Sequence, residues 1–156
     1  MIAPELATFL ESGVSVLVGT RDARLVPECQ RALGMRVEPD REHLTVFVPA
    51  AVGELVVANA RENGRIAVCC ARVEDHQSIQ LKGQAVEIRQ ASEAEGVWID
   101  RYREAFADVL AVIGMPRALT LRMAHQPCWA IRLRVDSSFV QTPGPGAGRP
   151  LAGAGS

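Results

Sequence analysis

The chain has 156 residues, with 17 Lys and Arg against 18 Asp and Glu and a formal net charge of −1. That length fits one domain with a core of its own, and the near-neutral balance gives no electrostatic footprint for nucleic acid. No apolar run approaches the roughly 20 residues of a membrane-spanning helix, and no basic segment followed by an apolar stretch opens the chain, so a cytoplasmic protein is expected.

The four cysteines carry no metal-binding pattern. Cys69 and Cys70 are adjacent, while Cys29 and Cys128 stand alone, with no CxxC and no Cys/His spacing suited to zinc. Buried thiols are the simpler reading. Lys82 is the sole lysine, which makes arginine the default partner for any anion.

In chain order, Pro4 to Ser12 reads as a short helix with proline near its first turn and Gly13 as its stop. Val14 to Thr20 is a strand closed by a polar Arg21-Asp22 turn. Leu25 to Val37 is a second extended segment, which Pro27 restricts to an edge or a strand start and which Gly34 is expected to bulge. His43 to Val48 alternates and ends at Pro49. Gly53 to Asn63 then reads as a helix with Leu55, Val56 and Ala58 inward and Gly64 as its stop.

The centre of the chain is the stretch from Arg65 to Arg89. Arg65 to Val73 is a nearly continuous apolar run of the kind a strand buried on both faces shows. Glu74-Asp75-His76 makes a polar turn, and Gln77 to Arg89 returns. Ile79 and Leu81 point one way, and Ser78, Gln80 and Lys82 the other. After Gly83 the apolar phase slips to Val86 and Ile88, so a β-bulge is expected at that glycine.

Ser92 and Glu95 form a capping box, followed by Trp98, Tyr102, Phe106, Val109, Leu110 and Ile113 at helical spacing, with Gly114 and Pro116 as the end. Leu119 to Met123 reads as a short strand. Cys128 to Val135 is a stronger one, with Trp129, Ile131, Leu133 and Val135 on one face. From Thr142 the chain is too rich in Pro, Gly and Ala to bury anything. Its Gly144-Pro145-Gly146 run is not a dinucleotide loop, because no helix follows and Pro150 would block one. Sequential strands with short polar turns favour an antiparallel barrel over a βαβ sheet.

The stretches VSVLVGTRDARLVP, VANARENGRIAV and SIQLKGQAVEI, the capped helix, and a last strand running into FVQTPGPGAG resemble the pyridoxamine 5′-phosphate oxidase-like family, the FMN-binding split β-barrels. The likeness spans nearly the whole chain and rests on order and spacing. It implies a mainly β protein, an antiparallel split β-barrel of about six strands with flanking helices over residues 1–141, and a flexible tail over 142–156. It also implies a homodimer with two FMN sites at the subunit interface. There the flavin ring lies against strand backbone, and basic and hydroxyl side chains take the phosphate.

Carried onto this chain, the resemblance places cofactor contacts at Gln30, Arg31, Val48, Pro49, Ser78 and Gln80. Two departures stand out. Where many members have an arginine three residues beyond the proline of the second strand, this chain has Gln30, with Arg31 one later and hence on the other face. Where many have a serine or threonine followed by a lysine after the third strand, this chain has Pro49-Ala50-Ala51-Val52-Gly53-Glu54. The resemblance therefore implies an FMN-binding oxidoreductase of unassigned substrate, with weakened FMN binding and without true pyridoxamine-phosphate oxidase activity. A non-catalytic flavin- or haem-binding barrel and a ligand-free structural dimer are the alternatives. Without the family, Ser78, Gln80 and Lys82 read simply as a solvated face. Arg31 and Arg36 read as edge protection, and His43, His76 and His125 as surface or turn residues.

Overall fold

A computed structural model describes residues 1–151; residues 152–156, the end of the expected tail, lie outside the described residues. The elements run α1 (Pro4–Glu11), β1 (Ser15–Arg21), β2 (Pro27–Arg31), β3 (Met35–Val37), β4 (His43–Pro49), α2 (Glu54–Asn63), β5 (Arg65–Ala71), β6 (Ser78–Gln90), α3 (Glu93–Val112), α4 (Arg117–Leu121) and β7 (Cys128–Val140). All strand pairs are antiparallel, in the order β2-β1-β5-β6-β7-β4-β3.

The two ends of this order meet. β2 and β3 are one run of chain, broken at Ala32 to Gly34. Ala32 N–H still donates to the Val16 carbonyl, while Leu33 N–H donates to the Phe47 carbonyl at 2.7 Å and Phe47 N–H to the Gly34 carbonyl at 3.1 Å. The run leaves β1 and joins β4, which closes a split barrel. Gly34 makes the crossing with φ +86, and a side chain there would strike Tyr102 and Trp98. The expected irregularity at Gly34 is thus the barrel corner.

Val16, Val18, Leu44, Val46, Val68, Leu81, Ile131 and Leu133 fill the interior with no exposed surface, each on the inward phase of its strand. α3 lies over β3 and β4 outside the barrel. Its capping box is present, with Ser92 N–H donating to Glu95 Oε2 at 2.8 Å and Glu95 N–H to Ser92 Oγ at 3.3 Å. Phe47, Trp98, Tyr102 and Phe106 form a ladder of rings at centroid separations of 5.4, 6.3 and 5.8 Å. The Tyr102 hydroxyl donates to the Val14 carbonyl, tying α3 to the start of β1.

Several local expectations change. The run Ile66 to Ala71 is not buried on both faces: Ile66, Val68 and Cys70 are buried, whereas Ala67, Cys69 and Ala71 are half-exposed. In α2 the inward stripe is Val56, Val57 and Ala60, and Leu55 and Ala58 face solvent. Positions 56, 57 and 60 share one side of a 3.6-residue turn that excludes 55 and 58.

Leu119 to Met123 is not a strand. Arg117–Leu121 is a short helix packed on α3, and Arg103 Nη2 donates to its Leu121 carbonyl at 2.6 Å. A segment of five residues is too short for its periodicity to be read, and the α3 contact decides its form.

Gly83 sits at a register shift as expected, but the extra residue is in the partner strand. Lys82 pairs with Ser137 and Gly83 with Val135, so Asp136 is the bulged residue. A Cβ on Gly83 would overlap the Arg134 carbonyl oxygen. The phase slip in β6 itself comes three residues later, where Val86 is pushed out and left half-exposed between Ala85 and Glu87.

The segment from Thr142 was expected to bury nothing, and up to Leu151 that is corrected. Val140 N–H donates to the Arg149 carbonyl, Gly148 N–H to the Val140 carbonyl, and Leu151 N–H to the Ser138 carbonyl. Phe139 bridges Pro150, and Leu151 packs against the core. β4 pairs with β7 only as far as Arg134, so the returning chain occupies an edge of β7 that β4 leaves bare.

Candidate functional site

α3 covers the outer side of β3 and β4. Among the described residues no helix lies over the outer side of β1, β5, β6 and the C-terminal part of β7. Pairing across these strands sets Arg31, Leu17, Cys69, Gln80 and Phe139 in one row, and Cys29, Gly19, Ala67, Lys82 and Ser137 in the next. Strand spacing of about 4.8 Å puts Gly19 and Lys82 roughly 10 Å apart.

The second row floors a basin of about 530 Å³, lined by Gly19, Thr20, Ala67, Lys82, Gly83 and Ser137 together with Arg21, Arg65, Ile66 and Asp136. That volume lies within the usual range for small-molecule sites, about 300–1,000 Å³. Gly19, Ala67 and Gly83 make it shallow and smooth, and its charge is mainly positive. The β1–β5 pairing ends at Gly19 and Ala67. Two residues beyond, Arg21 and Arg65 both line the basin, and the Asn63 side chain stands between their backbones, donating to the Arg21 carbonyl at 2.8 Å and accepting from Arg65 N–H at 2.9 Å. Like charges gathered in one basin repel when no counter-charge lies among them.

The nearby carboxylates do not answer these cations. Asp22 accepts from the backbone N–H groups of Val26 and Arg24, hydrogen bonds that hold its carboxyl below the ordinary value. Glu62 accepts from Ala23 N–H at 2.9 Å, and Asp136 pairs with Arg134 at 3.1 Å. Arg21 Nη1 reaches only the Asp22 carbonyl, and Lys82 Nζ sits 4.9 Å over the Phe139 ring. Among the described residues Arg65 has no carboxylate partner.

The residues expected to hold a cofactor divide into three places. Ser78 and Gln80 share the open face, and Arg31 stands in the Gln80 row three strands away, with its side chain against Tyr102 and Phe106 of α3. Ser78 Oγ donates to the His76 carbonyl at 2.8 Å, and Arg31 Nη1 donates to Ser15 Oγ at 3.1 Å with its guanidinium 5.5 Å from the Phe106 ring centre. Gln30 pairs with Val18 on the opposite phase of β2, and its Nε2 donates to Glu28 Oε1 at 3.0 Å. Val48 and Pro49 lie opposite Trp129 and Cys128, buried, nearly the length of β6 away from Ser78. Within the chain these three groups do not meet.

Phosphate held as the resemblance implies does not fit these residues. Gln30 is neutral and engaged by a carboxylate. The connection from Pro49 to Gly53 offers no cation, and the first turn of α2 brings Glu54 instead. The cations suited to an anion lie in the basin, at Arg21, Arg65 and Lys82. Of these, Lys82 was visible in the sequence as part of a polar face. Arg21 read there only as part of a turn and Arg65 as a strand end. The alternation of small residues at Gly19 and Ala67 on outward positions was the one signal that could have found the basin.

No protein-family model and no curated sequence matches the chain. Solved structures do. HupZ of Group A Streptococcus is 19% identical over 96% of this chain and 99% of that one, with a TM-score of 0.58. A candidate pyridoxamine 5′-phosphate oxidase from Lactobacillus delbrueckii is 14% identical over 88% and 92%, with a TM-score of 0.55. HutZ, the haem storage protein of Vibrio cholerae, is 14% identical over 89% and 94%, with a TM-score of 0.50. The chain therefore has the split-barrel fold of pyridoxamine 5′-phosphate oxidase-like proteins. Among the described residues no helix is long and apolar enough to cross a membrane.

Proposed function

We propose that this protein is a homodimeric flavin-nucleotide-binding protein, with FMN as the cofactor, whose flavin lies on the open face of β1, β5 and β6 and serves an oxidoreductase reaction on a small molecule. The observation that carries the reading is the uncovered concave face, which joins small apolar side chains to a cationic end. Leu17, Ala67, Cys69 and Phe139 offer a flat surface for an aromatic ring. Ser78 and Gln80 offer hydrogen bonds to its polar edge. When bound, the flavin would supply the electron transfer, and this chain's part is to orient it and keep water from one side.

The same face supports the dimer. Leu17 is 39% exposed beside half-buried Ala67, Cys69, Ala71 and Phe139, a continuous apolar patch that a second copy would cover. HutZ keeps a haem reading in view, but the residues here favour flavin. His43 is held by Asp40 at 2.8 Å, His76 stands at the tip of the β5–β6 turn, and His125 lies on the far side near Asp100. The Cys69 thiol, on the open face, is pushed up by burial and then by Cys29, so it makes a poor thiolate ligand.

The test is a visible spectrum of the purified protein, followed by FMN and haem titrations with light scattering on the same samples. FMN fluorescence quenched at one equivalent per protomer, in a dimer, is the expected result. A haem Soret band formed at stoichiometric ratio with no FMN quenching, or a monomer at micromolar concentration, would overturn the reading.

A further inference from the structure

Gly19 stands in the middle of β1 in unbroken register with Cys29 on one side and Ala67 on the other, so no bulge requires it. A Cβ built on it would come no nearer than 4.0 Å to the closest atom, the Glu28 carbonyl oxygen, so no packed backbone requires it either. Glycine inside a strand weakens it, and apart from bulges and bends it marks a place where something approaches closely. Here the approach comes from the open side.

Around that bare position stand Arg21, Arg65 and Lys82, with the hydroxyl-bearing residues Thr20 and Ser137 also lining the basin. Three cations gathered in one basin, none of them paired with a carboxylate among the described residues, make an arrangement that an anion would relieve. A guanidinium fork and an ammonium suit phosphate in complementary ways: the first gives paired directed donors, the second a compact charge. A second copy of this chain would bring the same positive charges, which argues against it as the occupant of this corner.

We propose that the basin is a phosphomonoester site, in which Arg21, Arg65 and Lys82 hold a phosphate dianion over the floor made by Gly19 and Ala67. That the phosphomonoester is the end of FMN rests on the flavin reading above; that the basin grips phosphate does not. On that reading the phosphate has moved from β2 and the start of α2, where Gln30 and Glu54 now stand, to the ends of β1 and β5. The flavin ring then extends from the Lys82 row toward Gln80 and Ser78 along the same strand face.

Calorimetric titration of FMN, riboflavin and inorganic phosphate, at one low ionic strength, separates the possibilities. The proteins are the wild type, Arg65→Ala, Arg21→Ala and Gly19→Val. FMN is expected to bind at least about tenfold tighter than riboflavin. Each arginine substitution should weaken FMN and inorganic phosphate by roughly ten- to a hundredfold and leave riboflavin unchanged. Gly19→Val should weaken FMN while the protein melts no lower than the wild type. FMN and riboflavin bound equally well, with both arginine variants unaffected, would overturn the basin and leave the flavin reading intact. Inorganic phosphate bound by the wild type and lost in Arg65→Ala, with no binding of FMN, would support the basin and end the flavin reading. Absence of inorganic phosphate and FMN binding, or a Gly19→Val that dissociates the dimer with phosphate binding unchanged, would overturn the basin.

Discussion

β4 and β5 are both apolar strands of seven residues, and the barrel uses them in opposite ways. β4 reads as alternating, yet it is buried at every position from Leu44 to Pro49. β5 reads as buried throughout, yet it alternates. The difference comes from what lies outside the barrel. α3 seats Trp98 on Phe47 and closes the outer side of β4, whereas no helix among the described residues covers the outer side of β5. Thr45 tolerates its buried place because its hydroxyl donates to Glu38 Oε1 at 2.6 Å. Ala67, Cys69 and Ala71 keep β5 flat where it faces outward. The sealed side is where stability resides, and the open side is the one that the proposed ligand and second copy would meet.

Substitutions can break this contrast, and the largest effect is expected where the two sides join. Gly83→Val puts a branched side chain into the Arg134 carbonyl at the β6–β7 bulge. The strands must separate there, which costs several kcal/mol, roughly the upper range for single substitutions. A melting temperature equal to wild type would show that the bulge shifts freely, and with it the boundary between the halves.

On the sealed side, Phe47→Ala removes a fully buried ring from the stack with Trp98 and should cost about 3–5 kcal/mol in chemical denaturation. On the open side, Leu17→Ala should cost less than about 1 kcal/mol in a monomeric sample while weakening the proposed dimer. Equal losses at the two positions would mean that the open face is as tightly covered as the other.

Glu95 secures the sealed side from its edge. Its carboxylate is 3% exposed and accepts from Arg89 Nη1 at 2.7 Å and Nη2 at 2.8 Å. The Arg89 hydrogen bonds, with help from Ser92 against the opposing effect of burial, lower its pKa from 4.5 to about 2. Because the folded value is the lower one, the stabilisation is fully present above the unfolded value near 4.3 and is lost as pH falls toward 2. Glu95→Gln should lose about 1–2 kcal/mol at neutral pH, allowing for the partial exposure of Arg89. Urea midpoints should show the gap closing below about pH 4. A gap that stays constant down to pH 2.5 would contradict this.

The smallest effect needs no substitution at all. Cys69 and Cys70 are neighbours on opposite faces of β5, one half-buried and one 1% exposed. Burial pushes both thiols up, Cys70 far more than Cys69. A thiol reagent should therefore label Cys29 and then, more slowly, Cys69 in the native protein. Cys70 and Cys128 should label only after unfolding. Native labelling of Cys70 would mean that β5 opens as a whole.

Much of the frame was written in local sequence, because local physics sets it. Ser92 and Glu95 announce the start of α3, Pro4 and Gly64 mark ends of other helices, and the polar turn at Glu74 to His76 sets the β5–β6 pairing by chain distance alone. Gly34 and Gly83 were legible as irregularities because only glycine fits a left-handed residue or so close a backbone contact. What each irregularity does was decided by the partner strand. Gly34 turns the chain from β1 to β4 because Phe47 receives it there, and the extra residue at Gly83 belongs to β7.

Tertiary structure alone decided which faces are covered. A period of two tells that successive side chains oppose each other, but not whether a helix, a second copy or water lies beyond them. That is why β4 and β5 exchanged roles. It is also why Leu151 and the segment before it, too poor in apolar residues to form a core, still found an edge of β7 to lie on. The candidate site was half legible for the same reason. Ser78, Gln80 and Lys82 announce one polar strand face by their spacing. Arg21 and Arg65 are 44 positions apart, and only the antiparallel pairing of β1 with β5 brings both to the basin around Gly19.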